Sequence, residues 1–276
     1  MSIRRLVLTM LLFIGFCAPL LSQVKGRIAL SSAPQSLPAH TVGKDQVLCG
    51  PQVPNESMVV GKKLELANVF VLLANLKPDS LPPATVRLDI AKCSFKPHAI
   101  ALLRGDSLMI RNTDPAAHHS RGYLYPLRPG WNQSVTKEIF GKESTTVFNI
   151  AFPSKGAADI EKLDAPGLLE IRSEDGHDWM KAYVLISPHR FFAVSNAKGE
   201  FTLEGLPAGQ YDMILWHETL GVKRQLLEVP AGKGTELLVT WEDGAQPGTA
   251  AEDSLTTAAA DSVSAVAAPD SMAGKQ

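Results

Sequence analysis

Cysteine is scarce in this chain, with three in 276 residues at Cys17, Cys49 and Cys93. None stands in the one stretch where chemistry would most want it, Ser173-Glu174-Asp175-Gly176-His177-Asp178-Trp179-Met180. An excess of either charge is also missing. Lys+Arg number 27 and Asp+Glu 28, for a net charge of -1, so no broad basic surface draws nucleic acid or anionic lipid by long-range attraction. No helical stripe exceeds two turns, and past the N-terminus no run is long and apolar enough to span a bilayer. The Gly-x-Ser-x-Gly elbow, the phosphate-binding glycine loop and the His-Glu-x-x-His helix are all absent. Hydrolysis is left without support, and a non-catalytic protein is expected.

What is present begins with an export signal. Arg4 and Arg5 form a short basic region, and Leu6 to Phe16 is an apolar run too short to be a membrane span. Cleavage is expected after Ser22. Lipidation at Cys17 is disfavoured by the bulky Phe16 before it. The expected location is periplasmic or secreted, and in that oxidising setting the two remaining cysteines, Cys49 and Cys93, favour a disulfide over two buried thiols or a metal pair.

The rest reads as short strands punctuated by Gly and Pro. Asn68 to Leu73 is a β-branched and aromatic run of strand length, and Val86 to Ile90 alternates as a half-buried strand does. Ala99–Leu103, Leu108–Ile110, Ser144–Phe152, Gly167–Arg172 and Met180–Ile186 continue the series. Phe192–Ser195 and Glu200–Leu203 flank Asn196-Ala197-Lys198-Gly199, the pattern of a hairpin with a glycine-bearing loop. Beyond Asp243 the composition collapses to Ala, Ser, Thr, Asp and Gly, too poor in apolar groups to offset the entropy of ordering. The expected fold class is all-β, built of antiparallel sandwiches.

From Gly26 to about Asp243 the chain resembles an exported bacterial family often labelled methylamine-utilisation-like. The residues that carry the resemblance are Leu48-Cys49-Gly50, Leu66-Ala67-Asn68-Val69-Phe70-Val71, Cys93-Ser94-Phe95-Lys96-Pro97-His98, Ile110-Arg111-Asn112-Thr113-Asp114-Pro115, His177-Asp178-Trp179-Met180 and Trp216-His217-Glu218-Thr219-Leu220-Gly221. The resemblance implies a cupredoxin-like Greek-key β-sandwich followed by a small transthyretin-like or carboxypeptidase-regulatory-like β-sandwich. The division it suggests is a signal peptide over 1–22, a cupredoxin-like domain over 23–186, the second β-domain over 187–243 and a disordered tail over 244–276.

One imidazole, then a second imidazole and a thioether at the end of an apolar run, is how such a sandwich assembles a copper site. Carried onto this chain, the family's pattern places the ligands on His118, His177 and Met180. Its thiolate position falls on Glu174, or on Ser173 if the loop holds an extra residue, so a blue site is not expected. Glu174, His119 and His98 are secondary candidates, with His98 read first as a structural histidine, and Trp179 is expected to anchor packing with its indole donor paired. Copper bound without a thiolate is one expectation. The alternative is a metal-free structural or partner-binding module of the cell envelope, the partner being an envelope protein of unknown identity.

Overall fold

The computed structural model describes residues 21–79, 81–133 and 138–242. Nearly all of the expected signal peptide, and the expected tail, lie outside the described residues. Ser22, the residue before the expected cleavage point, already opens the first strand, with its hydroxyl donating to the Pro230 carbonyl at 3.0 Å.

In chain order the first strands are β1 (Ser22–Leu30), β2 (His40–Thr41), β3 (Gln52–Val53), β4 (Phe70–Leu73), β5 (Thr85–Ile90) and β6 (Phe95–Lys96). Then come β7 (Ala99–Leu103), β8 (Ser107–Asn112), β9 (His118–Pro126), β10 (Thr145–Phe152), β11 (Ala158–Lys162) and β12 (Gly167–Ser173). The last are β13 (Lys181–Ser187), β14 (Phe192–Val194), β15 (Glu200–Leu206), β16 (Gly209–His217), β17 (Gly221–Val229) and β18 (Thr235–Trp241). A four-residue turn of helix, α1 (Gln46–Cys49), precedes β3.

The strands form two sandwiches. In the first, the sheet β10-β9-β12-β13-β7 faces the sheet β11-β8-β5-β6, and Leu88, Ile110, Phe152, Ile171 and Val184 are among the side chains of the core between them. After β9 and β10 pair, the chain crosses to β11 in the opposite sheet and returns as β12 beside β9, a Greek-key connection. In the second, β15-β1-β18 faces β14-β4-β16-β17 across Val24, Ile28, Phe201, Leu215 and Val239. The all-β class expected from the sequence stands on this strand pairing.

β4 explains how the two sandwiches meet. All four of its residues are buried, without the alternation of a half-wet strand. Val71 and Leu73 enter the core of the second sandwich, while Phe70 and Leu72 pack against Ala99, Leu168 and Leu185 of the first. The four sheets therefore stack as layers, with β4 in an inner one.

The linear domain division needs correction. β1 and β4 fall within residues 23–186, yet both hydrogen-bond into the second sandwich, β1 lying parallel to β18 and antiparallel to β15, β4 between β14 and β16. The first sandwich is inserted in the chain of the second. The hairpin expected around Asn196–Gly199 is also replaced: β14 pairs with β4 and β15 with β1, so that turn carries the chain between sheets. The hairpin of this region is β16–β17. Local alternation specifies a strand and its buried face, but not a partner nearly two hundred residues away.

Gly199 marks where β1 docks. Its φ is +69°, and a Cβ there would lie 2.2 Å from the Ile28 carbonyl oxygen. Gly199→Ala is expected to cost about 2–4 kcal/mol, from a left-handed backbone and a backbone clash together. Urea unfolding checks this, and a change below about 0.5 kcal/mol would mean that β1 does not sit against this turn.

Candidate metal centre

The site is built at one end of the first sandwich by three turns. After β8, Asn112 is fully buried and organises the first: its amide donates to the carbonyls of Ala116 (2.7 Å) and Ser154 (3.2 Å), and its side-chain oxygen accepts from the Asp114 N–H at 2.9 Å. Asp114, thus placed, accepts from the backbone N–H groups of Lys92 (2.6 Å) and Cys93 (2.9 Å). Both those residues have positive φ, 51° and 52°, which points two successive amides at one carboxylate.

His118 opens β9, whose residues alternate buried and half-buried through Tyr125. The alternation turns His118 inward, leaving it 2% exposed. Its Nε2 lies 3.0 Å from Asp114 Oδ2. A carboxylate only accepts, so Nε2 carries the proton, and in the neutral ring Nδ1 holds the free lone pair. That Nδ1 is buried with no hydrogen-bond partner, 4.0 Å from Asp175 Oδ2.

His177 repeats the arrangement. It is 4% exposed, its Nε2 lies 3.2 Å from Asp45 Oδ2, and its Nδ1 is buried and unpartnered. Asp175 completes the group, its Oδ2 accepting from the His119 N–H at 2.6 Å. One ligand atom each from His118, Asp175 and His177 lie within 4.8 Å of one another. Trp179 packs on His177 with ring centroids 5.0 Å apart, donates from its indole to the Cys93 carbonyl at 3.0 Å, and also stacks with His40. A cavity of about 390 Å³ lined by His40, Lys44, Gly176, His177, Asp178 and Trp179 opens onto the site.

Of the expected ligands, His118 and His177 come together. Met180 closes the loop, its N–H donating to the His177 carbonyl at 2.8 Å, and its side chain lies in the core of the first sandwich. Three secondary candidates are elsewhere. The Glu174 carboxylate accepts from the Tyr123 hydroxyl at 3.1 Å and pairs with Arg121 at 3.7 Å. The reason is register: the Glu174 N–H still bonds to the His119 carbonyl as a continuation of the β9–β12 ladder, and Asp175 is the first residue free of it. His119, alternating with His118, faces the other way and serves through its backbone. His98 bonds through Nε2 to Glu218 and meets Tyr183 edge-on, outside the cluster.

Sequence reasoning missed Asp175, Asp114 and Asp45. The local signal for Asp175 was the Asp-Gly pair itself, since Gly176 has φ +77° and the turn it makes ends the ladder just where a side chain must point inward. The disulfide Cys49–Cys93 is formed, with Cα atoms 5.3 Å apart. It sits beside this site, although neither cysteine is near it in sequence.

No protein-family model matches the chain, and no curated protein does. Among solved structures, one similar chain is a mutant of amicyanin in its Cu(I) form, at 13% identity and a TM-score of 0.26, covering 42% of this chain and 98% of that one. A purple cupredoxin from Nitrosopumilus maritimus shows 14% identity, TM-score 0.26, and coverage of 37% and 98%. A Cu-containing nitrite reductase from Thermus scotoductus SA-01 shows 15%, 0.27, and 42% of this chain against 25% of that one. Likeness at this level assigns no activity.

His98 belongs to a second polar cluster, between the sandwiches. Glu218 takes His98, Tyr183 lies beside both, and His217 is buried with its Nδ1 accepting from the Thr219 N–H at 3.2 Å. Burial, and then the nearness of His98, push the His217 pKa down from 6.5 to about 4. Below pH 6.5 the unfolded chain therefore takes up a proton that the folded chain refuses, and stability falls as pH drops towards 4. Burial lowers the His189 pKa too, adding in the same direction. Urea unfolding at pH 7 and pH 5 should differ by about 1–2 kcal/mol from His217 alone. His217→Gln should remove that share of the slope, and an unchanged slope would show that His217 titrates alike in the folded and unfolded chain.

Proposed function

We propose that this protein binds a copper ion without a thiolate, through Nδ1 of His118, Nδ1 of His177 and the carboxylate of Asp175, as an exported, non-catalytic metal-holding module. One observation carries the reading. Two buried imidazoles each have one nitrogen fixed by a carboxylate and the other left without a partner, and a third donor lies within 4.8 Å. An unpaired buried polar atom costs about 1–3 kcal/mol, and two such atoms in one cluster are a cost the fold would shed on binding a cation. The outer carboxylates match how metal-bound imidazoles are held, with the distal N–H on an acidic oxygen.

The donor set fits copper in part. Imidazole suits copper and zinc alike, and a carboxylate in place of sulfur favours a divalent over a cuprous ion. Copper supplies, when bound, a site for two nitrogens and an oxygen. Everything else is done by the chain: Asp114 and Asp45 fix the tautomers and orient the rings, the His119 amide aims Asp175, and Trp179 covers His177. With the likeness to a methylamine-utilisation-like family, this supports a role in holding or passing on the metal outside the cytoplasm.

Titration of the mature protein with Cu(II) tests the reading. Binding at micromolar or tighter affinity is expected, with two-nitrogen splitting in the electron paramagnetic resonance spectrum and no intense thiolate-to-copper absorption. His118→Ala and His177→Ala should each weaken binding at least about tenfold, Asp175→Ala should weaken it too, and Glu174→Ala should leave it unchanged. Equal binding by the histidine variants would leave a metal-free envelope module as the better description, and an intense charge-transfer band would require a cysteine ligand that this geometry does not supply.

A further inference from the structure

The two carboxylates that hold the imidazoles lie in separate turns, and the Cys49–Cys93 disulfide, spanning 44 residues, joins the turn of Asp45 to the 91–94 turn whose backbone amides hold Asp114. On one side, Asp45 sits at φ 64° before α1, and its carbonyl accepts from the Cys49 N–H at 2.9 Å. The Asp45 side chain is 44% exposed and makes no capping bond to the helix, so its position against His177 depends on where that turn is held. On the other side, the Cys93 N–H donates to the same Asp114 oxygen that takes His118 Nε2. The Cys93 carbonyl accepts from Trp179, the ring packed on His177. A single covalent bond thus stands one hydrogen bond away from each carboxylate–imidazole pair.

Val42 and Val53 anchor the 43–52 segment in the core independently of the sulfur atoms, and the backbone bond from Val42 N–H to the Pro51 carbonyl at 3.1 Å closes its base. Loss of the disulfide therefore leaves the sandwich folded and frees the tip that carries Asp45. Resting on the metal-binding reading above, we infer that Cys49 and Cys93 are positioning residues of the metal centre: their bond registers Asp45 and Asp114 against His177 and His118 and so sets metal affinity as well as fold stability. Outer partners of metal-bound imidazoles typically govern affinity by 10–100-fold, and a 10–100-fold weakening is the effect assigned to breaking this one.

The decisive variant is Cys49→Ser/Cys93→Ser, chosen over chemical reduction because free thiols would themselves bind copper. Its Cu(II) affinity is expected to fall about 10–100-fold while its circular dichroism stays that of the parent. Gly199→Ala, a destabilised variant in the other sandwich, controls for stability and should bind Cu(II) as the parent does. Asp45→Ala should weaken binding in the parent and have little further effect in the double-serine background, because coupled positions are not additive.

A metal-free readout accompanies these. The His177 Nε2–H, held by Asp45, should give a slowly exchanging proton signal in the parent that broadens in the double-serine variant. Parent-like affinity together with an unchanged His177 signal overturns the inference and leaves the metal reading intact. A parent that binds no Cu(II) overturns both. Equal losses in the double-serine variant and in Gly199→Ala reduce the disulfide to general stabilisation, and full additivity with Asp45→Ala removes the claim that it acts through that carboxylate.

Discussion

Two-sided burial of β4 is the constraint on which the architecture rests. A strand with only one face in a core can alternate apolar and polar residues, but Phe70-Val71-Leu72-Leu73 must satisfy a core on each side, so all four positions are apolar and buried. Fully burying side chains of this size contributes on the order of 2 kcal/mol each. The same strand supplies the Leu73 carbonyl that accepts from the buried His189 ring at 2.8 Å, and Trp216 extends the contact by packing on both Phe70 and Tyr183. Moving the sandwiches apart would expose all of these at once, so the pair is better regarded as one cooperative unit than as two beads on a string.

The candidate metal centre sits away from this seam and depends on a different kind of order. Its geometry is set by polar turns rather than by packing: Asn112 shapes the loop, Asp114 gathers two left-handed residues, and the end of the β9–β12 ladder decides which acidic side chain points inward. Each of three carboxylates has its own task. Asp114 and Asp45 act behind the imidazoles, and Asp175 stands among the donor atoms. An arrangement of this kind tolerates no slip of one residue, because a single step in register would exchange Asp175 for Glu174, which is held by Tyr123 and Arg121 on the opposite face.

Strand positions were legible in the sequence because period-two alternation and runs such as Asn68–Leu73 are local signals. His118 and His177 were reached differently, through the family resemblance that carried ligand positions onto them. Partner choice was not legible. Nothing near Ser22–Leu30 indicates pairing with Thr235–Trp241, since both are ordinary half-buried strands whose match is fixed only by three-dimensional closure. Asp45 escaped notice because it reaches His177 from 132 residues upstream, the disulfide because Cys93 meets Trp179 across 86 residues, and Glu174 looked plausible because counting along a loop does not reveal where the ladder stops. His98 was read first as structural, and its bond to Glu218 ties it to the second sandwich.

The parallel pairing of β1 with β18 has a consequence for how the molecule comes into being. Strand β1 is the first of the described strands to leave a ribosome or an export channel and β18 the last, so the sheet they share cannot be completed before residue 241 arrives. The intervening sandwich can gather its own core early, while the edge of β1 waits without its long-range neighbour. Contacts that span so much of the chain make folding slow relative to local structures of similar stability, and an unpaired strand edge during that wait is a surface prone to mispairing. A protein built in this way has a period of vulnerability written into its topology, and its yield in the cell should depend on how quickly its last strand is delivered to its first.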